Sequence, residues 1–255
     1  MTATNTPTDR RVPTSRRERF DLARTAYARF ADVVETVDDT DWDRPTDCEG
    51  WTVRDLVGHV VGAMRSAASV REFASQRREI SARVKRDGGN EVDTMTQVEI
   101  DRTAGLSNAE LVAECRALVD RATTGRRRTP APLRKLVRFP VQMGSIDERW
   151  NLGYLVDTIL TRDAWLHRID LCRAIDAEPV LTADHDGRLV ADVAVEWARR
   201  HGRPHHLTLT GPAAGVFTTG QVDDAEHLNL DAVEFCRIVS GRAPGEGLLA
   251  TEVPF

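Results

Sequence analysis

Lysine is scarce in this chain of 255 residues: of its 35 basic residues only Lys85 and Lys135 are lysines, and the others are arginines. Because arginine codons are rich in G and C, a GC-rich genome explains this bias, and the arginines alone do not indicate an anion site. The formal net charge is −5. General nucleic-acid binders are usually basic, so the charge argues against nucleic acid as a partner.

Long apolar runs are also missing. No segment has the roughly 20 apolar residues that a membrane-spanning helix needs, and the N-terminus MTATNTPTDRRVPTSRR lacks the hydrophobic stretch of a secretory signal. We therefore predict a cytoplasmic protein without a membrane partner, with residues 1–14 as a disordered lead-in. The length predicts one large domain or two, and we expect a monomer or a homodimer.

Closely spaced cysteine pairs are the third absence. The four cysteines, Cys48, Cys115, Cys172 and Cys236, form no C-x-x-C motif, so in a cytosolic protein we expect free thiols. Cys48 stands in the loop that leads to His59. A catalytic thiol needs a base beside it, and the sequence supplies no such geometry, so we predict a structural role for Cys48.

Apolar residues at helical spacing predict four long helices. They are predicted over residues 15–37, over 53 to about 85, from a capping box of Ser107 and Glu110 onward, and over about 147–176. Four amphipathic helices with two longer connections are typical of a helical bundle. The connection TTGRRRTPAPLRKLVRFPVQMGS, rich in arginine and proline, is predicted to be a solvated surface loop.

The pattern changes near residue 178. A helix DGRLVADVAVEWARRHG precedes the short alternating runs HLTLTG and GVFTTG, which predict a strand pair, and a helix DAVEFCRIVSGR and an extended tail GLLATEVPF follow. We therefore predict a metal-binding bundle over 15–178 and a small α/β domain over 179–255. His201, His205 and His206 lie close in sequence without an obvious acidic partner, so no second metal site is predicted, and His185 and His227 are expected to be exposed.

The second helix carries a histidine beside its apolar stripe. Thr52 and Asp55 form the pattern of a capping box that begins this helix. His59 lies at the border of the stripe, where Gly62 and Ala63 leave room beside its ring. A hydrogen bond to a backbone carbonyl would satisfy such a histidine without any further role.

The fourth helix carries ionisable groups on its apolar face. At 100° per residue, Asp163 and His167 lie near the centre of that face, with Asp170 beside them. Burying such groups without partners costs several kcal/mol each. Three arrangements would satisfy them: an Asp163–His167 ion pair, a polar network that includes His59, or a divalent metal bound by His59, Asp163 and His167. Two imidazoles and a carboxylate leave an open position on zinc, as catalytic sites do.

Two segments, CEGWTVRDLVGHVVG and RDAWLHRIDLCRA, resemble the mycothiol-dependent maleylpyruvate isomerase family of the DinB-like superfamily, and the ending GLLATEVPF resembles the close of that family's small C-terminal domain. The resemblance implies an α+β fold with an N-terminal DinB-like four-helix bundle. It also implies mycothiol as cofactor or co-substrate and a divalent metal, usually zinc, bound by His59, Asp163 and His167. The family's usual acid is glutamate, and Asp163 is one methylene shorter.

The resemblance further implies an activity: a metal-dependent, mycothiol-using transferase or isomerase that acts on a small electrophilic substrate. Family isomerases use an arginine of the C-terminal domain for the substrate, and Arg237 and Arg242 are the candidates here. Asp170 is a candidate to orient a ligand histidine or to pair with a surface arginine. Two alternatives remain, a metal-dependent hydrolase that needs no thiol and a non-catalytic metal-binding or regulatory module.

Overall fold

The computed structural model describes residues 15–220 and 225–255, so the expected lead-in over 1–14 lies outside the described residues. The chain divides into two compact units. One is Arg19–Pro179 with Phe255, and the other is Val180–Pro254, with which residues 15–18 group. None of the described helices has the length and apolar character required to cross a membrane.

The first unit is helical, with one small β-hairpin. Its elements are α1 (Arg16–Val34), α2 (Val53–Ala68), α3 (Val70–Asp87), α4 (Glu91–Asp101), α5 (Asn108–Arg128), α6 (Ala131–Leu136), β1 (Arg138–Met143), β2 (Ile146–Asn151), α7 (Leu152–Tyr154) and α8 (Leu160–Ala174). The apolar faces of α1, α2, α5 and α8 meet in one core, which buries Phe30, Leu56, Leu118 and Leu171 among others. The predicted four-helix bundle is therefore confirmed.

The second predicted helix is divided into two helices, α2 and α3. Ser69 has an extended backbone, with φ −142° and ψ 119°, so it ends α2, and its side chain accepts a hydrogen bond from the Glu72 amide to begin α3. Helix α4 was not predicted. It follows Gly88 and Gly89, both at positive φ, and is capped by the Asn90 side chain.

The predicted surface loop after the third helix is wrong. Helix α5 continues through TTGRRR, and α6 and the antiparallel pair β1–β2 occupy the rest. Val141 and Trp150 of this hairpin pack in a small apolar cluster with Ile159. Because β2 runs to Asn151, the fourth helix begins later than predicted, and residues Leu155–Ile159 form a π-helical turn before α8.

Arg126 stabilises that π-helical turn from α5. Its Nε donates to the Val156 carbonyl at 2.7 Å, one terminal nitrogen to the Tyr27 hydroxyl at 3.1 Å and the other to Thr161 Oγ1 at 2.6 Å. A π turn interrupts the α-helical hydrogen-bond pattern, and the guanidinium gives the Val156 carbonyl a donor. Arg126 is 1% exposed, so the prediction of a solvated arginine run fails at this residue.

The second unit is a small α/β arrangement, which confirms the predicted α+β class. It contains α9 (Asp186–His201), β3 (His205–Thr210), β4 (Gly215–Thr219), β5 (Glu226–Asp231), α10 (Ala232–Val239) and a 3₁₀ turn (Gly247–Ala250). The strand order is β4-β3-β5. Strands β3 and β4 pair antiparallel as predicted, whereas β5, which was not predicted, pairs parallel to β3. The buried indole of Trp197 packs edge-to-face on Phe235 and donates to the Leu248 carbonyl at 3.0 Å.

We propose a domain boundary near residue 178, and limited proteolysis tests it. Residues 177–182 form neither helix nor strand, Glu178 is exposed, and Val180 is 66% exposed. Proteases cut exposed, irregular backbone first, so a glutamate-specific protease is expected to release fragments 1–178 and 179–255, identified by mass. Glu178→Gln should abolish this cut, and early cleavage inside the helices with this segment intact would contradict the boundary.

Candidate metal centre

The structure brings together the three residues of the metal hypothesis. His59 projects from α2, and Asp163 and His167 project from α8. Asp163 Oδ1 lies 3.3 Å from the Nε2 atom of each ring. The histidine side chains are 6% exposed and that of Asp163 is 17% exposed, so the carboxylate is the most accessible member of a largely buried cluster.

The spacing of these atoms fits a shared divalent cation. Zinc binds histidine nitrogen and carboxylate oxygen at about 2.0–2.1 Å with tetrahedral angles, which places neighbouring ligand atoms about 3.3–3.4 Å apart. A direct charge-assisted hydrogen bond between nitrogen and oxygen is shorter, at about 2.7–2.9 Å. The two distances of 3.3 Å match the spacing of ligand atoms around one zinc ion, and the donor set is one that zinc accepts.

A carboxylate faces the other nitrogen of each ring. His59 Nδ1 lies 2.9 Å from Glu99 Oε2, and His167 Nδ1 lies 3.2 Å from Asp170 Oδ2. Metal-binding histidines are commonly held in this way, with one nitrogen on a carboxylate and the other on the metal. Asp170 thus lies where a residue that orients a ligand histidine is expected. Glu99 was missed because it lies on the unpredicted α4.

Charges around the two rings explain their shifted pKa values. Burial lowers the pKa of His59, but the Asp163 and Glu99 carboxylates outweigh it and raise the pKa to about 9. Burial likewise opposes charge on His167, yet Asp163 and Asp170 hold its pKa well above the ordinary value. Burial acts to raise the pKa of Asp163, but the two histidines hold it well below its usual range. The carboxylates therefore favour positive charge at the rings, carried either by protons or by a metal ion.

Trp51 packs against both imidazoles from the loop before α2. Its ring centroid lies 5.1 Å from that of His59 and 5.8 Å from that of His167, with the second pair stacked at 26°. The two imidazoles meet edge to face at 5.0 Å. The indole thus limits ring rotation and covers one side of the cluster.

Cys48 lies beside the same cluster, a geometry that the sequence did not supply. Its Sγ donates to Asp170 Oδ2 at 3.5 Å and lies 3.7 Å from His167 Nδ1. Cys48, His167 and Asp170 are therefore a second group of possible metal ligands. The two groups share His167 but use opposite ring nitrogens, so a test for the ion has to separate them.

The predicted arginines lie in the second unit. Arg237, on α10, is 8% exposed and its guanidinium pairs with Glu234 at 2.7 Å. Arg242 follows that helix, is partly exposed, and its backbone amide donates to the Arg237 carbonyl at 2.9 Å. A substrate-binding role for either residue stays a prediction.

The remaining histidines form no third group within residues 15–220 and 225–255. The rings of His201 and His205 meet at 5.0 Å, but His206, the next residue of β3, faces the other side of the sheet and packs on His227. His227 is exposed as predicted. The expectation that His185 is exposed is wrong: it is 4% exposed, because the turn that begins α9 folds it into the unit.

Comparison with known proteins gives the same architecture. The profile of the mycothiol maleylpyruvate isomerase N-terminal domain matches residues 23–172, which contain the whole cluster. Two crystal structures are similar to this chain. One is of the mycothiol-dependent maleylpyruvate isomerase, at 17% sequence identity, and the other is of a histidine-to-alanine mutant of that enzyme, at 16%. Each match covers 90% of both chains and has a TM-score of 0.56. No curated protein sequence matches significantly. Because the profile matches more than half of the chain, the protein belongs to the mycothiol maleylpyruvate isomerase N-terminal domain family.

Proposed function

We propose that the protein is a metal-dependent enzyme that uses mycothiol and acts on a small electrophilic substrate as a transferase or an isomerase. The observation that carries the proposal is the convergence of His59, Asp163 and His167 at 3.3 Å spacing, with a carboxylate behind each histidine. Three protein ligands leave a further position for a small molecule. Mycothiol is supported by the family and by the names of the two similar structures.

The chemistry of this site divides between the metal and the protein. A divalent metal, when bound by these three residues, supplies a Lewis acid that lowers the pKa of a thiol and so favours the thiolate at neutral pH. The outer ring nitrogens of His59 and His167 face Glu99 and Asp170, and both Nε2 atoms face Asp163. Asp163 is the most exposed of the three side chains.

Two outcomes are compatible with a thiolate at this position. In transfer, a carbon–sulfur bond forms at the electrophilic carbon, the leaving group departs with the bonding electron pair, and a thioether remains. In isomerisation, the sulfur adds to a conjugated double bond, the resulting single bond rotates, and the thiol leaves unchanged. Arg237 and Arg242 remain candidates for binding a substrate carboxylate on the family resemblance alone.

Turnover with and without thiol tests this function. Zinc-loaded protein is incubated with mycothiol and either maleylpyruvate or 1-chloro-2,4-dinitrobenzene, and isomerised product or thioether is measured. We expect turnover that requires both zinc and thiol and is lost in His59→Ala. Thiol-independent hydrolysis of ester substrates would instead support a metal-dependent hydrolase, and the absence of both activities would support a non-catalytic module; either result contradicts the proposal.

A further inference from the structure

Glu99 is a buried acid whose partner is a candidate metal ligand. It is 4% exposed, and within the described part of the chain its carboxylate has one ion pair, with His59 Nδ1 at 2.9 Å. A carboxylate so deeply buried costs free energy unless it is paired. His59 Nδ1 and Glu99 Oε2 are close but are not aligned as a hydrogen bond, so the contact with His59 offsets the burial of Glu99 through charge and only in part.

Two glycines bring α4 close enough for this contact. Gly58 and Gly62 lie one turn apart on α2, on either side of His59. A Cβ atom at Gly62 would lie 2.6 Å from Glu99 Cβ and 2.8 Å from Glu99 Cα, and one at Gly58 would lie 2.6 Å from Thr103 Oγ1. Side chains do not tolerate such distances, so the absence of a Cβ at Gly62 allows the α4 backbone to lie against α2 beside the histidine, and its absence at Gly58 makes room for the Thr103 side chain in the turn after α4.

No acid of α2 itself is free to take this role. The carboxylate that lies one turn before His59 belongs to Asp55, and it is engaged in the capping box, where it accepts from the Thr52 amide at 3.0 Å and the Thr52 hydroxyl at 2.7 Å. His167 differs, since Asp170 on its own helix faces its Nδ1. The carboxylate at His59 Nδ1 is thus supplied by a different helix.

We propose that Glu99 is the positioning residue of His59, brought beside it by the close approach of α4 to α2 at Gly62. A neutral imidazole carries one N–H and one lone pair. A carboxylate at Nδ1 selects the tautomer with the proton on that nitrogen, and the lone pair of Nε2 is then directed at Asp163 and available to a metal. This inference rests on the metal site of the proposed function.

Zinc affinity and the state of the His59 ring test the role of Glu99. In Glu99→Leu, zinc affinity measured by chelator competition is expected to fall about 10- to 100-fold, as is typical when such a partner is removed. Glu99→Gln is expected to retain more affinity, because an amide oxygen still accepts from Nδ1–H. In ¹⁵N-histidine NMR of zinc-loaded protein, the downfield Nδ1 proton of His59 should move upfield in Glu99→Gln.

Matched variants separate this role from a general effect on folding. Glu114 of α5 also pairs with a side chain of α2, Arg65, but outside the cluster, so Glu114→Gln should leave zinc affinity unchanged. Gly62→Ala should lower zinc affinity although Glu99 is still present, because the added methyl group displaces α4. Gly105→Ala is the control: no atom lies near its added Cβ, so it should not change zinc affinity.

The outcomes distinguish the positioning role from the metal site itself. Parent-like affinity in Glu99→Leu would overturn the role of Glu99 and leave the zinc site standing. Should Glu99→Leu not fold, an unmoved Nδ1 proton in Glu99→Gln would overturn it equally. A parent protein that binds no zinc would overturn the metal site, and the proposed function with it.

Discussion

Replacement of His59 by alanine is expected to weaken zinc binding by more than about 100-fold, since even residues that only orient a ligand cost 10- to 100-fold when they are removed. In the proposed site His59 supplies one of three protein ligand atoms, and its side chain is 6% exposed, so its removal takes a buried donor from the cluster. The parent, purified without a histidine tag and reloaded with zinc, should contain one ion per chain by elemental analysis. Chelator competition then ranks the variants.

Substitutions of matched chemistry control this experiment. His227→Ala removes an exposed histidine of β5 and should not change zinc affinity. Asp163→Asn keeps the size of the ligand but not its charge, and it should weaken binding because zinc prefers a carboxylate to an amide. In Asp163→Glu the added methylene enters a site where Oδ1 already lies 3.3 Å from both rings. We expect this overpacking to destabilise the site by roughly 1–3 kcal/mol.

Cobalt substitution identifies the group that holds the ion. A thiolate ligand gives Co²⁺ an intense near-ultraviolet charge-transfer band that nitrogen and oxygen ligands do not give. We expect no such band, and an unchanged spectrum in Cys48→Ser. If His59→Ala and Asp163→Asn bind zinc as the parent does, and the band is present and lost in Cys48→Ser, then Cys48, His167 and Asp170 hold the ion instead.

Replacing Gly125 by alanine is expected to lower the free energy of unfolding by roughly 2–3 kcal/mol, within the usual range for an overpacked core. An added Cβ would overlap the Ala67 carbonyl oxygen and would lie 3.0 Å from the Ala67 carbonyl carbon and 3.1 Å from Ala68 Cα. All three are backbone atoms of α2 and its end, so relief requires α2 and α5 to separate. This cost exceeds the gain of about 1 kcal/mol that alanine brings to a helix interior.

Urea denaturation measures this loss, with a second glycine as its control. Gly105 has no atom within 4 Å of an added Cβ, so Gly105→Ala should leave the denaturation midpoint unchanged or slightly raised. A Gly125→Ala protein with the midpoint and m-value of the parent would mean that the contact between α2 and α5 is looser than the structure has it.

Apolar periodicity predicted the parts of the site that lie on bundle helices. His59, Asp163 and His167 could be found because each lies on or beside the apolar face of a long amphipathic helix. Helix α4 has the sequence EVDTMTQVEID and buries only Val98 and Glu99, so it has no apolar stripe to recognise, and Glu99 was missed with it.

Other features depended on weaker signals or on contacts distant in sequence. Ser69 with Glu72 is an S-x-x-E pattern, which is a recognisable start of a helix and could have divided the second predicted helix. The hairpin was obscured by Pro140, which is unusual within a strand. The π-helical turn depends on the Arg126 guanidinium, contributed by another helix, and no pattern within Leu155–Ile159 indicates it.

The two glycines that flank His59 also affect how the site forms. Glycine in a helix interior costs about 0.5–1 kcal/mol relative to alanine, so the segment around His59 has a low intrinsic tendency to be helical. Helices of this length gain most of their stability from packing rather than from propensity. Packing of α4 against Gly62 is therefore one of the contacts, beside those with the bundle core, that stabilise the turn of α2 that presents His59. The contact that brings Glu99 to His59 thus also helps to order the helix turn that presents this candidate ligand.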